Sequence, residues 1–336
     1  MRMPHNSEVD VNMRNPILPI ADPFVTRHDG CYYVTGTSTG ASIHIWAAST
    51  LDGLSAAPLT IAWNPRGDQP AHQIWSPSMY LLPYRGADQW FIYCTASLDD
   101  TNRAHRIYAL RSDGEDPLGP YTFEGQVAGM SDATAIDPSL LRLGGHLYLL
   151  YVEEPGNGPA PEANVVYIAP LSDPLTLSAP GRPLIYPDQP WERGGDEGHS
   201  PYPVAEGPIA LHHDGRAFIV YSGSHTGNHT YCLGLLAYDG VGDPLDVASW
   251  TKSGPVFSYS EANGVYGPGR ASFTTTPDGE DWMVYHAKAD RAYSYRGRTT
   301  RAQRFTWNAD GTPSFGVPVP VDQADIPTRV VPRSNQ

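Results

Sequence analysis

Cysteine is scarce in this chain of 336 residues. Cys31, Cys94 and Cys232 stand far apart and are odd in number, which excludes a disulfide framework and lacks the spacing of a zinc site. They read as single thiols in strands. Charge is sparse as well, at 17% of residues, and positive charge is sparser still. Lys and Arg number 22 against 36 Asp and Glu, a formal net charge of −14. Nucleic acids and anionic membranes need basic patches, so neither is an expected partner, whereas a neutral ligand such as a sugar fits. No run approaches the roughly 18 apolar residues of a membrane span. The opening MRMPHNSEVDVNMRNP has no apolar core of a secretory signal. The expected location is therefore cytoplasmic, or secreted with the signal peptide missing from this sequence. Helical periodicity is also lacking, with no heptad and no long amphipathic segment. No appended binding module is visible, so a monomer is expected.

What the chain does have is turn formers and aromatics: 33 Gly, 33 Pro, 20 Tyr, 8 Trp and 8 Phe. That mixture favours many short strands with tight connections. One pattern recurs five times: a polar residue, a Pro or small residue, an apolar strand, a Gly turn, then an aromatic strand. The copies are ADPFVTRHDGCYYVTGT, WSPSMYLLPYRGADQWFIYCTA, IDPSLLRLGGHLYLLYVEE, AEGPIALHHDGRAFIVYSGS and GRASFTTTPDGEDWMVYHAK. Each reads as a β-hairpin, turning at Asp29-Gly30, Arg85-Gly86, Gly144-Gly145, Asp214-Gly215 or Asp278-Gly279. Strand-like runs fill the intervals. Five repeats of four strands predict an all-β fold, a five-bladed β-propeller. It would be one domain over 1–336, with blades near 17–62, 70–125, 133–186, 200–255 and 264–320. The tail from Thr299 to Pro320 is expected to complete the last blade or to pair with the first, removing an exposed edge.

In a propeller, equivalent residues form a ring around the central channel. Aligning the copies on their polar residues puts Asp22, Ser76, Asp137, Glu206 and Arg270 at one mouth. Asp and Glu are poor strand residues. Clustering them in a semi-buried ring costs stability unless they are paired or functional. Carboxylates so placed push one another's pKa values apart, the condition for an acid and a base at one pH. Two carboxylates straddling a substrate suggest glycoside hydrolysis, and a third can orient the first. Trp75 is either a stacking face for a sugar or a core aromatic of its blade. A non-catalytic sugar-binding propeller is the alternative of another class; it would keep Trp75 and the channel without needing three acids in phase.

At these residues the chain resembles glycoside hydrolase family 43, along essentially its whole length. ADPF is similar to that family's base motif, AIDPSLL to its third-blade motif and VAEGPIAL to its fourth-blade motif. The resemblance implies Asp22 as general base, Asp137 as the orienting, pKa-modulating carboxylate and Glu206 as general acid. It implies inversion, with a water between Asp22 and the sugar. IWSPSMY, YGPGRASF and RGRTTRAQRFTWNADGTPSFG are most like exo-acting α-L-arabinofuranosidases. The implied substrate is α-1,5-arabinan or arabino-oligosaccharide, trimmed from non-reducing ends. β-D-xylosidase, or a bifunctional enzyme, is the alternative within the family. A retaining fructosidase is disfavoured, since Ile-Ala-Asp-Pro-Phe stands where those enzymes carry Asn-Asp-Pro-Asn. Many family members carry a His at the fifth-blade GPG-x position, close to a central cation site. Here Arg270 would repel calcium, so no metal and no cofactor are expected. Arg270, His286, Arg298 and Trp75 are the expected substrate-binding residues. Arg298 is preferred over Arg291, Arg296, Arg301 and Arg304, which read as a solvated basic face. The GGDEGHSPYP segment, with Asp196, Glu197 and His199, reads as an exposed active-site loop.

Overall fold

The five repeats fold as five antiparallel sheets. A computed structural model of the chain describes residues 11–101, 104–154, 162–194, 202–321 and 325–328. The first sheet runs Ala21–His28, Cys31–Thr37, Ile43–Ala48 and Leu59–Trp63. The second runs His72–Tyr84, Ala87–Ser97, Arg106–Ser112 and Tyr121–Gln126. The third runs Ala135–Leu143, His146–Glu153 and Val165–Asp173, with Thr176–Leu177 and Arg182–Ile185 sharing its outer edge. The fourth runs Ala205–His213, Arg216–Gly223, Cys232–Tyr238 and Trp250–Phe257. The fifth has Tyr266–Thr275, Asp281–Lys288 and Thr299–Arg304. This is the five-bladed β-propeller expected from the repeats. Among the described residues no helix is long and apolar enough to cross a membrane.

Local sequence accounts for the hairpins. Both central residues have positive φ at Asp29-Gly30, Arg85-Gly86, Gly144-Gly145 and Asp214-Gly215, as a tight turn matched to strand twist requires. The core is divided among the blade interfaces. Phe91, Tyr93, Leu149 and Tyr151 pack between the second and third blades. Trp46, Val34, Trp282 and Val284 pack between the first and fifth. The aromatic second strands noted in the sequence thus face neighbouring blades. All three cysteines are free thiols.

The start of the tail completes the last blade, one of the two expected outcomes, but a segment far upstream covers that blade's edge. Thr299–Arg304 is the third strand of the fifth blade, and the rest of the tail forms a small Thr306–Trp307 and Pro313–Ser314 hairpin. The outer edge is instead covered by residues from the start of the chain. Ile17 N donates to Thr300 O (2.8 Å) and Thr300 N to Leu18 O (2.9 Å). Buried Asn15 mimics one more strand residue: its Nδ2 donates to Ala302 O (2.9 Å) and its Oδ1 accepts from Ala302 N (2.8 Å). Ile17 and Leu18 are apolar and buried beside Trp282, so the segment gains both ladder bonds and core.

A bulge opens every inner strand. The register slips between Ala21 and Phe24, Trp75 and Ser78, Ile136 and Ser139, Glu206 and Ile209, and Gly269 and Ser272. The left-handed residues at these slips are Asp22 (φ 51°), Ser76 (48°), Asp137 (57°), Gly207 (58°) and Arg270 (49°). Such a conformation costs a non-glycine residue about 1–3 kcal/mol, and bulges commonly re-aim side chains near active sites. A proline follows in four of the five, Pro23, Pro77, Pro138 and Pro208, and has no N–H to lose where the ladder is broken. The fourth-blade counterpart of Asp22 and Asp137 is therefore Gly207. Glu206 precedes the phase by one residue and shares the place of Ala21, Trp75, Ile136 and Gly269. Aligning the copies on their acids put Glu206 in phase; aligning them on the prolines corrects this.

Asn15→Ala leaves two buried backbone groups of the fifth blade unpaired. It is expected to destabilise the protein by about 2–4 kcal/mol. Asn308→Ala, in the exposed Asn308–Thr312 turn, should stay within about 0.5 kcal/mol. Equal thermal midpoints for the two variants would refute closure through Asn15.

Candidate active site

Each bulge frees a backbone N–H from the sheet, and those N–H groups tie the blades together. Asp22 N donates to His286 Nδ1 (3.0 Å), Ser76 N to Thr37 Oγ1 (2.9 Å), Asp137 N to Thr95 Oγ1 (3.0 Å) and Arg270 N to Ser222 Oγ (2.9 Å). Each acceptor lies on the second strand of the preceding blade. At the remaining seam Gly207 N donates to the Asp137 carboxylate itself, Oδ2 at 2.9 Å.

The mouth of the ring holds a cavity of about 330 Å³. Asp22, Asp137 and Glu206 all line it, as do Trp75 and Arg298. Acids from three distant stretches of sequence thus meet at one axis. Trp75 is in the wall, its ring 4.4 Å from that of His105. Arg298 reaches Asp22 Oδ1 through Nη1 (3.3 Å), and the same nitrogen donates to Thr226 Oγ1 (3.2 Å). Its Nε donates to the Tyr295 carbonyl (3.1 Å).

His286 and Arg270 do not line the cavity. His286 is wholly buried behind Asp22, with Nε2 facing Thr226 Oγ1 (3.4 Å) and the Tyr231 ring stacked at 5.6 Å. Burial holds the His286 imidazole below its ordinary range, more than offsetting the pull of Asp22. A neutral ring accepts the Asp22 N–H, so His286 holds the Asp22 backbone from behind the cavity. Arg270 lies 2% exposed and forms no ion pair with the three carboxylates. Its Nη2 reaches Ser76 O at 3.5 Å, while Nε and Nη1 meet no protein acceptor. A buried guanidinium at the fifth-blade place does not suit a calcium ion at the axis. Among the described residues no group of three His, Cys, Asp or Glu could hold a metal.

Of the other arginines, Arg291 pairs with Glu261 and Arg304 with Glu280 (3.0 Å). Arg301 is not solvated at all, with 1% exposure. Asp196, Glu197 and His199 lie outside the described residues.

The carboxylates differ sharply in electrostatics. Burial pushes the Asp22 carboxyl up, but the Arg298 charge, with a hydrogen bond from Thr37, more than offsets this. The carboxyl is held well below the usual carboxylate range. Glu206 goes the other way, pushed up to about 8 by burial and by the negative charge of Asp137, despite hydrogen bonds from Tyr231 and Asn164. Burial keeps the Tyr231 phenol well above its ordinary value, so it remains a donor. At neutral pH the pocket therefore holds an ionised Asp22 and a protonated Glu206, one acceptor and one donor of protons.

Several wall residues carried no signal in the repeats: Asn164, Tyr202, Tyr231, His225 and Tyr295. They flank the strands rather than open them. Tyr231 lies across Gly269, where a Cβ would meet its ring at 2.1 Å. Burial, with the charges of Arg298 and Lys288, pushes the His225 imidazole down to about 4. Trp191, ahead of the fourth blade, fills a trough over Gly223, Gly234 and Gly254 on three neighbouring strands. Beside it, buried Glu192 is held by Lys252 (3.0 Å) and the Tyr221 hydroxyl (2.6 Å).

The comparisons agree with this geometry. An extracellular exo-α-(1→5)-L-arabinofuranosidase of Streptomyces avermitilis is 37% identical over 92% of this chain and 64% of its own length. An α-L-arabinofuranosidase of Humicola insolens is 34% identical over 94% and 65%. The chain thus spans just under two thirds of the length of these relatives. The crystal structure of an α-L-arabinofuranosidase from Lactobacillus brevis superposes with a TM-score of 0.82 at 33% identity, covering 93% of this chain and 98% of that one. The sequence model of glycosyl hydrolases family 43 matches residues 13–313, and the chain belongs to that family.

Proposed function

We propose that the protein is an inverting, exo-acting α-L-arabinofuranosidase that releases arabinose from the non-reducing ends of α-1,5-arabinan or arabino-oligosaccharides. The single observation that carries the chemistry is the opposed bias of two carboxyls in one cavity. Asp22 is held ionised by Arg298, and Glu206 is held protonated by burial and Asp137. Glu206 gives its proton to the leaving glycosidic oxygen. Asp22 takes a proton from the water that attacks the anomeric carbon from the opposite face, which inverts configuration. Asp137 keeps Glu206 protonated by its charge and anchors the backbone beside it through Gly207 N. The reading uses no metal and no other cofactor.

The substrate assignment draws on the relatives named above and on the shape of the site. A cavity of about 330 Å³ walled by Trp75, Tyr202 and Tyr295 suits the end of a sugar chain, with aromatic faces for its C–H surface. Two Streptomyces relatives are named as extracellular, which favours action outside the cell over the cytoplasmic alternative.

Asp22→Ala and Glu206→Ala should each lower kcat/KM on arabino-oligosaccharides by on the order of 10²–10⁴-fold with the thermal midpoint preserved. In the Glu206 variant, aryl arabinofuranosides with good leaving groups should lose least, since they need little protonation. Near-normal turnover in either variant would remove that residue from its role. Proton NMR of the first product formed should show the anomer opposite to the substrate; retention would refute the attacking water. Parallel assay on aryl xylosides separates arabinosidase from xylosidase.

The pH dependence has a fixed sign. Glu206 must be protonated to act, so kcat/KM should fall as pH rises through about 8. Asp22 stays ionised throughout the neutral and mildly acidic range. The alkaline limb should vanish in Glu206→Gln, whose residual rate should be flat there. A limb surviving unchanged in that variant would assign it to another group.

A further inference from the structure

One buried polar atom in the cavity has no protein partner that satisfies it. Asn164 lines the pocket at 2% exposure. Its Nδ2 donates to Glu206 Oε2 at 3.0 Å, and its Oδ1 is buried with no hydrogen-bond partner. Leaving a buried acceptor unpaired costs about 1–3 kcal/mol, and such atoms in a folded protein call for an explanation.

The residue cannot easily turn away. Its backbone is clamped between blades: Asn164 N donates to Pro203 O (3.1 Å) and Asn164 O accepts from Ala205 N (3.1 Å). These bonds form a parallel bridge to Val204, two residues ahead of Glu206. The amide is therefore fixed against the same strand that carries the acid.

We propose that Asn164 serves both sides of the reaction: its N–H group holds Glu206 Oε2, and its Oδ1 accepts a hydroxyl of the sugar bound in the cavity. This rests on the glycosidase reading above. The N–H to Oε2 bond has a consequence for the acid. An oxygen already accepting from an amide is the poorer site for a proton, so Asn164 disfavours protonation at Oε2. The same side chain thereby orients the acid and detects whether a hydroxyl-bearing sugar is in place. A sugar lacking that hydroxyl leaves Oδ1 desolvated and unpaired, which is how a polar pocket rejects an analogue.

The test pairs variants with substrates. Aryl α-L-arabinofuranoside and its 2-deoxy, 3-deoxy and 5-deoxy analogues are assayed with wild type, Asn164→Ala and Asn164→Asp. One analogue should lose about 10–100-fold in kcat/KM with wild type, relative to the others. That selective loss should largely disappear in Asn164→Ala, which has no acceptor, and persist in Asn164→Asp, which keeps one. Both variants lack the N–H donor to Glu206. Both should therefore move the alkaline limb of the pH profile upward and slow poor leaving groups more than good ones. Asn164→Leu, of similar size, gives the same comparison if the alanine variant loses its fold, as thermal unfolding reports. An active enzyme whose deoxy penalties are identical in wild type and Asn164→Ala overturns the sugar contact. An unmoved alkaline limb overturns the positioning of Glu206. A wild type inert on every arabinofuranoside overturns the glycosidase reading, and this inference with it.

Discussion

Everything at the mouth of this propeller depends on what becomes of five backbone N–H groups. A bulge at the start of each inner strand lifts one N–H out of the sheet ladder, and a buried N–H left unpaired is costly. Four are received by a side chain on the second strand of the neighbouring blade: His286, Thr37, Thr95 and Ser222. The third blade offers Val152 at the equivalent place, opposite Ile136, and a valine accepts nothing. There the Asp137 carboxylate takes the bond from Gly207. The same oxygen atoms thus close a seam of the fold and raise the proton affinity of the adjacent Glu206. Structure and electrostatics are not separable at that residue.

The contrast between the acids follows from their surroundings. Asp22 has a guanidinium and a hydroxyl within reach, both favouring its charge. Glu206 has another acid nearby, and only Tyr231 and Asn164 as donors. Burial alone would push both upward. The partners decide the outcome, and they come from stretches of sequence as far apart as Thr37 and Arg298.

That distance explains what could be read beforehand. The blades were legible because Gly turns and aromatic strands are local signals repeated five times. Asp22 and Asp137 were legible because a left-handed position before proline is marked by its sequence, Asp-Pro in both. Glu206 was recognised through VAEGPIAL, although its phase was misjudged by one, since Gly207-Pro208 is the true counterpart of Asp22-Pro23. Trp75 and Arg298 line the cavity, while His286 and Arg270 sit behind it. A buried charge facing the axis and a charge facing a ligand look alike in a string of letters. Asn164 left no trace, because nothing local distinguishes it from any asparagine preceding a strand.

The covering of the fifth blade by Ile17 and Leu18 has a consequence in time rather than space. These residues are made well before their partner strand around Thr300. During synthesis Met13, Ile17 and Leu18 have no complete apolar bed until Trp282 and Ala302 emerge. Sealing the circle joins two stretches that are synthesised far apart in time. The mouth, to which all five blades contribute, acquires its final shape only then.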